Sequence, residues 1–218
     1  ANAAAEASGI DMNEAQSGGG GARMLPAGYA FAQLVEYIEF GNHAQEFQGK
    51  AKDPALEVQL GFALSGAAPA GVLDPENPTR LIPYNNDDGT PYIVRPYSFP
   101  ISRNEKARAF LLFKALNWKG TAKSFAQLLG QKWLVKIVHE PKSKSDPKIV
   151  SRMDLKSFLP PLNPVGNTPY QIQDADPALY KLFLWTHPTL EAWNALKVEG
   201  TFEVEEGGKK VQKSKNRV

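Results

Sequence analysis

The sequence contains no cysteine, which removes disulfides, thiolate metal ligation, iron–sulfur chemistry and thiol nucleophiles in one step and fits a reducing compartment. Its three histidines, His43, His139 and His187, lie in separate segments without companions at metal-ligand spacing. Each reads as a surface or packing residue. No apolar run approaches the ~20 residues of a membrane helix, and the N-terminal residues lack a basic stretch followed by an apolar one. Neither a membrane span nor a signal peptide is expected. No G-x-S-x-G, H-E-x-x-H, Walker A or EF-hand pattern occurs. Asp87-Asp88 could open a two-metal nuclease site, but directly before Gly89 the pair fits a turn. The expectation is a soluble, non-enzymatic protein with no cofactor and no metal.

What is present is 42% apolar content over 218 residues, enough for one good core with room for extensions. The net charge of +2 conceals a segregation. Residues 1–27 carry one cation and three anions, residues 28–170 carry 17 and 13, residues 171–208 carry two and seven, and residues 209–218 carry five and none. A mildly basic body suits a polyanion partner.

Residues 1–27, with Gly18 to Gly21 inside them, bury too little apolar surface to order themselves and read as a flexible arm. Residues 29–40 are apolar on both faces, with Phe31, Val35 and Tyr37 on one and Ala32, Leu34, Ile38 and Phe40 on the other. That predicts a long curved strand with a buried end. Leu56, Val58, Leu60, Phe62 and Leu64 alternate with polar or small residues as a half-buried strand. After a loop over 65–83 and a turn at 85–89, residues 92–101 form a third strand, whose Pro96 and Pro100 argue for an unpaired edge. Ser102 with Glu105 reads as the capping box of a helix over 102–118, with Ala107, Phe110, Leu111 and Lys114 at helical spacing. A second short helix covers 121–129.

Residues 132–156 then read as two strands joined by a projecting basic loop, 140–147. Trp133, Val135 and Ile137 want a core, while Lys132, Lys136, Lys148, Arg152 and Lys156 share the outward surface. This is either a solvated face or an anion-binding one. Residues 174–198 carry Leu179, Leu182, Phe183, Trp185, Leu190, Trp193 and Leu196, dense enough to require a surface on the same chain or on a partner subunit, which leaves a homodimer open.

The element order predicts a mainly β protein: a five-stranded OB-fold barrel with a helical insert between strands 3 and 4 and a C-terminal helical extension. Other small barrels and sandwiches share the strand count. The domain reading is an arm at 1–27, the barrel at 28–162, an acidic, aromatic-rich extension at 163–206 and a basic mobile tail at 207–218. Phe62, Trp118 and Trp133 are assigned to the core. Cations interleaved with aromatics along strands are the trace of single-stranded nucleic-acid binding, in which a basic groove follows phosphates and rings stack on bases. In an OB barrel that groove crosses strands 2 and 3 between the first and last loops. It nominates Phe47, Lys50 and Lys52 from the first loop; Arg95, Tyr97 and Tyr92 or Phe99 from the third strand; and Lys142, Lys144 and Arg152 from the ribbon.

Several blocks resemble a known family. Pro26-Ala27-Gly28 leading into Leu34-Val35-Glu36-Tyr37-Ile38-Glu39-Phe40-Gly41, then Glu46-Phe47-Gln48-Gly49-Lys50 and Val58-Gln59-Leu60-Gly61-Phe62, resembles the opening of OB-fold single-stranded-DNA-binding proteins of tailed phages. Ser102 with Asn104-Glu105-Lys106, and the run from Leu129 to His139, is similar to the family's entry into its last hairpin. The resemblance covers about 26–161. It implies sequence-independent coating of single-stranded DNA in phage replication or recombination, in the host cytoplasm, with groove roles for Lys50, Arg95 and Lys136. Many such proteins end in an acidic tail that recruits replication proteins. Here the final residues are basic, so either that role falls to the acidic segment 174–206 or the native chain extends beyond Val218. Two alternatives stand beside this reading: an OB groove also accepts RNA, and the barrel could be the scaffold of a phage accessory or structural protein whose 171–206 segment docks a protein partner.

Overall fold

A computed structural model describes residues 24–67, 73–86, 89–144, 146–163, 166–197, 200–206 and 209–214. Most of the expected arm, the Asp87-Asp88 pair and residues 215–218 of the tail lie outside the described residues.

The protein is mainly β. β1 (Gly28–Phe47) and β2 (Lys50–Ala67) form a long antiparallel hairpin. Phe47-Gln48-Gly49-Lys50 closes it, with Gln48 and Gly49 both at positive φ (53° and 75°), the backbone of a type I′ turn that matches strand twist. β3 (Ile93–Val94) and β4 (Phe99–Pro100) pair with β2. The N-terminal part of β1 pairs antiparallel with β5 (Lys132–Pro141), which pairs with β6 (Ile149–Leu159). The path β3-β2-β1-β5-β6 remains open, and the sheet is not closed into the expected barrel. Helix α1 (Arg108–Leu116) packs against β6, across the space where closure would come.

β1 buries both faces because its register shifts. Leu34 pairs with Phe62 and Glu36 with Gly61, so Val35 is an extra residue, and Phe40 is another between Glu39 and Gly41. A bulge bends the strand and exchanges its faces. Before Val35 the even positions Ala30, Ala32 and Leu34 enter the main core; after it Tyr37 does. Ile38 and Phe40 turn to the opposite face, against Phe183. The simple alternation expected for 29–40 is corrected accordingly.

β2 sends Val58, Leu60, Phe62 and Leu64 into the main core, as its alternation predicted, but runs well beyond residues 56–64. The third strand is two short pieces, because Pro96 lacks the N–H that pairing would use. α1 starts at Arg108 and not at Ser102. Ser102 Oγ accepts from Asn104 N–H at 3.2 Å and Asn104 Oδ1 from Lys106 N–H at 2.9 Å, so these side chains build local turns before the helix. Its buried face is Ala109, Leu112 and Leu116, with Leu111 exposed. The second helix shrinks to a 3-10 turn, Phe125–Leu128. Trp133 is fully buried and its indole N–H donates to the Leu116 carbonyl at 2.8 Å, joining β5 to the helix end. Trp118 is 38% exposed beneath Lys119, outside the core assigned to it.

The chain already has fixed partners at Leu25, ahead of the expected boundary at 28. Leu25 is buried, its N–H donates to Ser151 Oγ at 2.8 Å, and its carbonyl lies 2.8 Å from His139 Nε2. The extension contains a 3-10 turn (Pro177–Leu179), β7 (Lys181–Phe183) parallel to β1, and helix α2 (Leu190–Leu196). Ala175, Leu179 and Tyr180 pack on Val35 and Ala63, while Phe183, Ala192 and Leu196 pack on Ile38 and Phe40. In the segment expected to be a mobile tail, Lys209–Ser214 forms strand β9, paired with β8 (Thr201–Glu206) as a separate hairpin. Among the described residues no helix is long and apolar enough to cross a membrane.

Candidate functional site

Between β3 and β4 the chain leaves the sheet. Gln59 Nε2 holds the Pro96 carbonyl at 3.4 Å and Ser98 Oγ bonds the Glu57 carboxylate. Tyr97, between them, is turned outward and is 70% exposed. Arg95 reaches back to Glu36, which the bulge at Val35 aims away from the main core.

This bowed segment is one wall of a cleft of about 1050 Å³; α1 with the turn before it, the end of β5, and β6 form the others. Its walls carry Arg95, Lys106, Arg108, Arg152 and Lys156 against Glu140 and Asp154, a cationic excess that favours an anion. Across it, the Arg152 guanidinium carbon lies 5.8 Å from the Tyr97 ring centroid, within cation–π range. Arg152 also donates to the Lys142 carbonyl, tying β6 to the loop that follows β5.

Of the nominated residues, Arg95, Tyr97 and Arg152 come together here. Tyr92 does not: it is 8% exposed within the main core, where no base can stack on it. Phe99 is buried there as well. Lys50 and Lys52 are exposed near the β1–β2 turn, beyond the last β2–β4 pair at Glu57. Phe47 is at the same turn, and its side chain lies outside the described residues. Lys136 is exposed opposite Asp154. Lys142 and Lys144 are exposed in the β5–β6 loop, but Lys142 Nζ is 3.2 Å from Asp146 Oδ2. The Lys148 backbone N–H, with Lys142, holds the Asp146 carboxyl below its usual range, so part of the loop's charge is used in shaping it.

Lys132 leaves the outward basic surface expected for it. Its Nζ donates to the Ile172 carbonyl at 2.6 Å and pairs with Asp174 Oδ1 at 2.9 Å, fastening the extension to β5. Gln33 completes this joint, donating to Asp174 Oδ1, Tyr180 Oη and the Gly130 carbonyl while accepting from Ala175 N–H. Lys106 and Arg108 also line the cleft, although no sequence pattern nominates them. They stand where α1 begins, and their relevance comes from the helix crossing the open side of the sheet, which no local pattern reports.

Among the described residues no group of three or more His, Asp or Glu side chains is arranged to hold a metal ion. No family model, curated protein or solved structure matches the chain.

Proposed function

We propose that the curved sheet is an OB fold open along one seam, and that the protein binds single-stranded DNA without sequence preference. Its setting would be the replication or recombination of a tailed phage in the host cytoplasm. Support for the fold is the pairing order, with β3 and β4 beside β2, β1 beside β5, and α1 inserted between β4 and β5, the order an OB fold would have if β3–β4 counts as its third strand and its last lateral pairing is missing. Support for the ligand is one observation above all: an exposed ring, Tyr97, facing Arg152 in a cleft with five cations and two anions on its walls. A phosphate backbone would follow the cations while an unpaired base stacks on the ring. A duplex keeps its bases inside the stack, where Tyr97 cannot reach them. The resemblance of the sequence blocks supplies the phage setting.

The test is a gel-shift series with oligothymidine, a duplex of equal length and RNA at two salt concentrations. The expected result is salt-sensitive binding of oligothymidine, much weaker duplex binding, and quenching of protein fluorescence. Equal affinity for duplex and single strand would remove stacking as the mechanism.

A second reading is a phage accessory or structural protein whose β domain is scaffold and whose C-terminal segment docks a protein partner. Its specific observation is the exposure of Leu190 (76%), Trp185 (49%) and Trp193 (42%) on the extension. It gains if alanine at Arg152, Lys142 and Lys144 leaves nucleic-acid retention unchanged.

A further inference from the structure

The β8–β9 hairpin forms a sheet of its own. Its strands have opposite charge: 201–206 holds Glu203, Glu205 and Glu206 and no cation, while 209–214 holds Lys209, Lys210 and Lys213 and no anion. The register sets position 205 opposite 210 and 206 opposite 209, and Lys210 Nζ reaches Glu203 Oε1 at 2.9 Å. Within the hairpin, opposite charges thus stand across from each other at two register positions, and Lys210 reaches Glu203 diagonally, while Glu203 is opposite Gln212 and Lys213 opposite position 202.

Each strand has a second, outer edge, and among the described residues neither outer edge is paired with another strand. A two-stranded ribbon is marginal in water, and an open edge is a template for further pairing. Charge decides what can be added. Setting β8 against β8 of a second copy brings glutamates beside glutamates, and β9 against β9 brings lysines beside lysines, both unfavourable. Setting β9 of one copy against β8 of the next brings a strand whose charges are all positive beside one whose charges are all negative. The new neighbours remain antiparallel, because the two strands of each hairpin run in opposite directions.

We propose that the C-terminal hairpin is a self-association surface that joins copies of this chain head to tail, the lysine strand of one pairing with the glutamate strand of the next. Such a junction is heterologous, so each added copy presents a new complementary edge and growth does not stop at a twofold dimer. This goes beyond the nucleic-acid reading and does not depend on it.

The test is sedimentation equilibrium of the full chain without nucleic acid, over a concentration series in about 50 mM and about 1 M NaCl, which screens exposed charges. The average mass is expected to climb past twice the monomer in low salt, without a plateau there, and to return to the monomer in high salt. Two variants define the junction, Lys209→Gln/Lys210→Gln/Lys213→Gln and Glu203→Gln/Glu205→Gln/Glu206→Gln. Each alone stays monomeric; mixed, they form a 1:1 pair that grows no further, because only one acidic and one basic edge remain. Four results overturn the proposal: a wild-type monomer throughout, a plateau at the dimer, association that survives high salt or either variant, and no pairing on mixing. The third would instead mark the exposed Trp185 and Trp193 surface.

Discussion

Arg95 grips Glu36 with both prongs of its guanidinium, Nε to Oε2 at 2.6 Å and the terminal nitrogen to Oε1 at 2.7 Å. The carboxylate is 1% exposed and the arginine side chain 43%, so the pair spans from the interior to the cleft wall. Lys181 of β7 approaches the same carboxylate at 3.9 Å. A cation nominated for phosphate contact therefore has a structural task.

Arg95→Ala leaves Glu36 buried with one distant cation. Removing a partner from a fully buried pair costs about 3–5 kcal/mol, which solvent screening at the half-exposed arginine reduces to about 1–3 kcal/mol. A lowered denaturation midpoint in urea, with unchanged m-value, is the expected result. Glu36→Gln/Arg95→Met, which removes both charges, is expected to recover most of the loss.

Tyr97 meets solvent over most of its surface, so Tyr97→Ala is expected to leave the thermal midpoint within about 1–2 °C, as surface substitutions do. Affinity for oligothymidine should fall by the contribution of one stacked base, about 1–3 kcal/mol, read by fluorescence titration. Tyr97→Phe retains the ring and should retain the affinity.

Lys106 and Arg108 act, in this reading, as phosphate contacts. Each alanine substitution is expected to lower affinity for all single-stranded sequences alike and to reduce the slope of log affinity against log salt by about 0.7. Unchanged slopes would place the polynucleotide elsewhere.

Trp133 meets Phe62 and Phe158 edge-on, with ring centroids 6.4 and 6.1 Å away. Trp133→Ala is expected to cost about 3–5 kcal/mol, while Trp118→Ala, at a partly exposed ring, should cost far less. Chemical denaturation of both variants makes the comparison.

Asp174 has its carboxyl held below the usual range, first by the hydrogen bond from Lys132 and then by that from Gln33. A group with a depressed folded value adds stability above its unfolded value, about 3.9 for Asp, and loses it as pH falls through the folded value. Asp174→Asn should therefore lower the thermal midpoint at pH 7, with the deficit closing under acid. Thermal scans from pH 7 down to about pH 2 check this.

Legibility followed the reach of the forces involved. The inward faces of β2 and β5 were readable because Val58 to Leu64 and Trp133 to Ile137 alternate without interruption. β1 was readable as a buried strand, but its faces were not, because the extra residues Val35 and Phe40 exist only relative to the register with β2. Tyr92 and Tyr97 look alike in sequence; one is buried and the other exposed because pairing lapses around Pro96. Lys132 looked like a surface cation until Asp174, 42 positions away, supplied its partner. The cleft itself is a meeting of 94–97, α1 and β6, and its shape is long-range throughout.

The unlaced seam between β3–β4 and β6 gives the cleft a mechanical property. In a closed barrel the two rims would be stitched by amide hydrogen bonds, and widening the gully would mean tearing them. Here helix α1 packs on β6 and lines the same cleft as 94–97, and no strand pairing joins β6 to β3 or β4, so a change of width there would leave the backbone ladders on either side intact. Under the proposed single-strand reading, a gully of adjustable width would let a purine or a pyrimidine meet the same ring, which binding without regard to sequence needs.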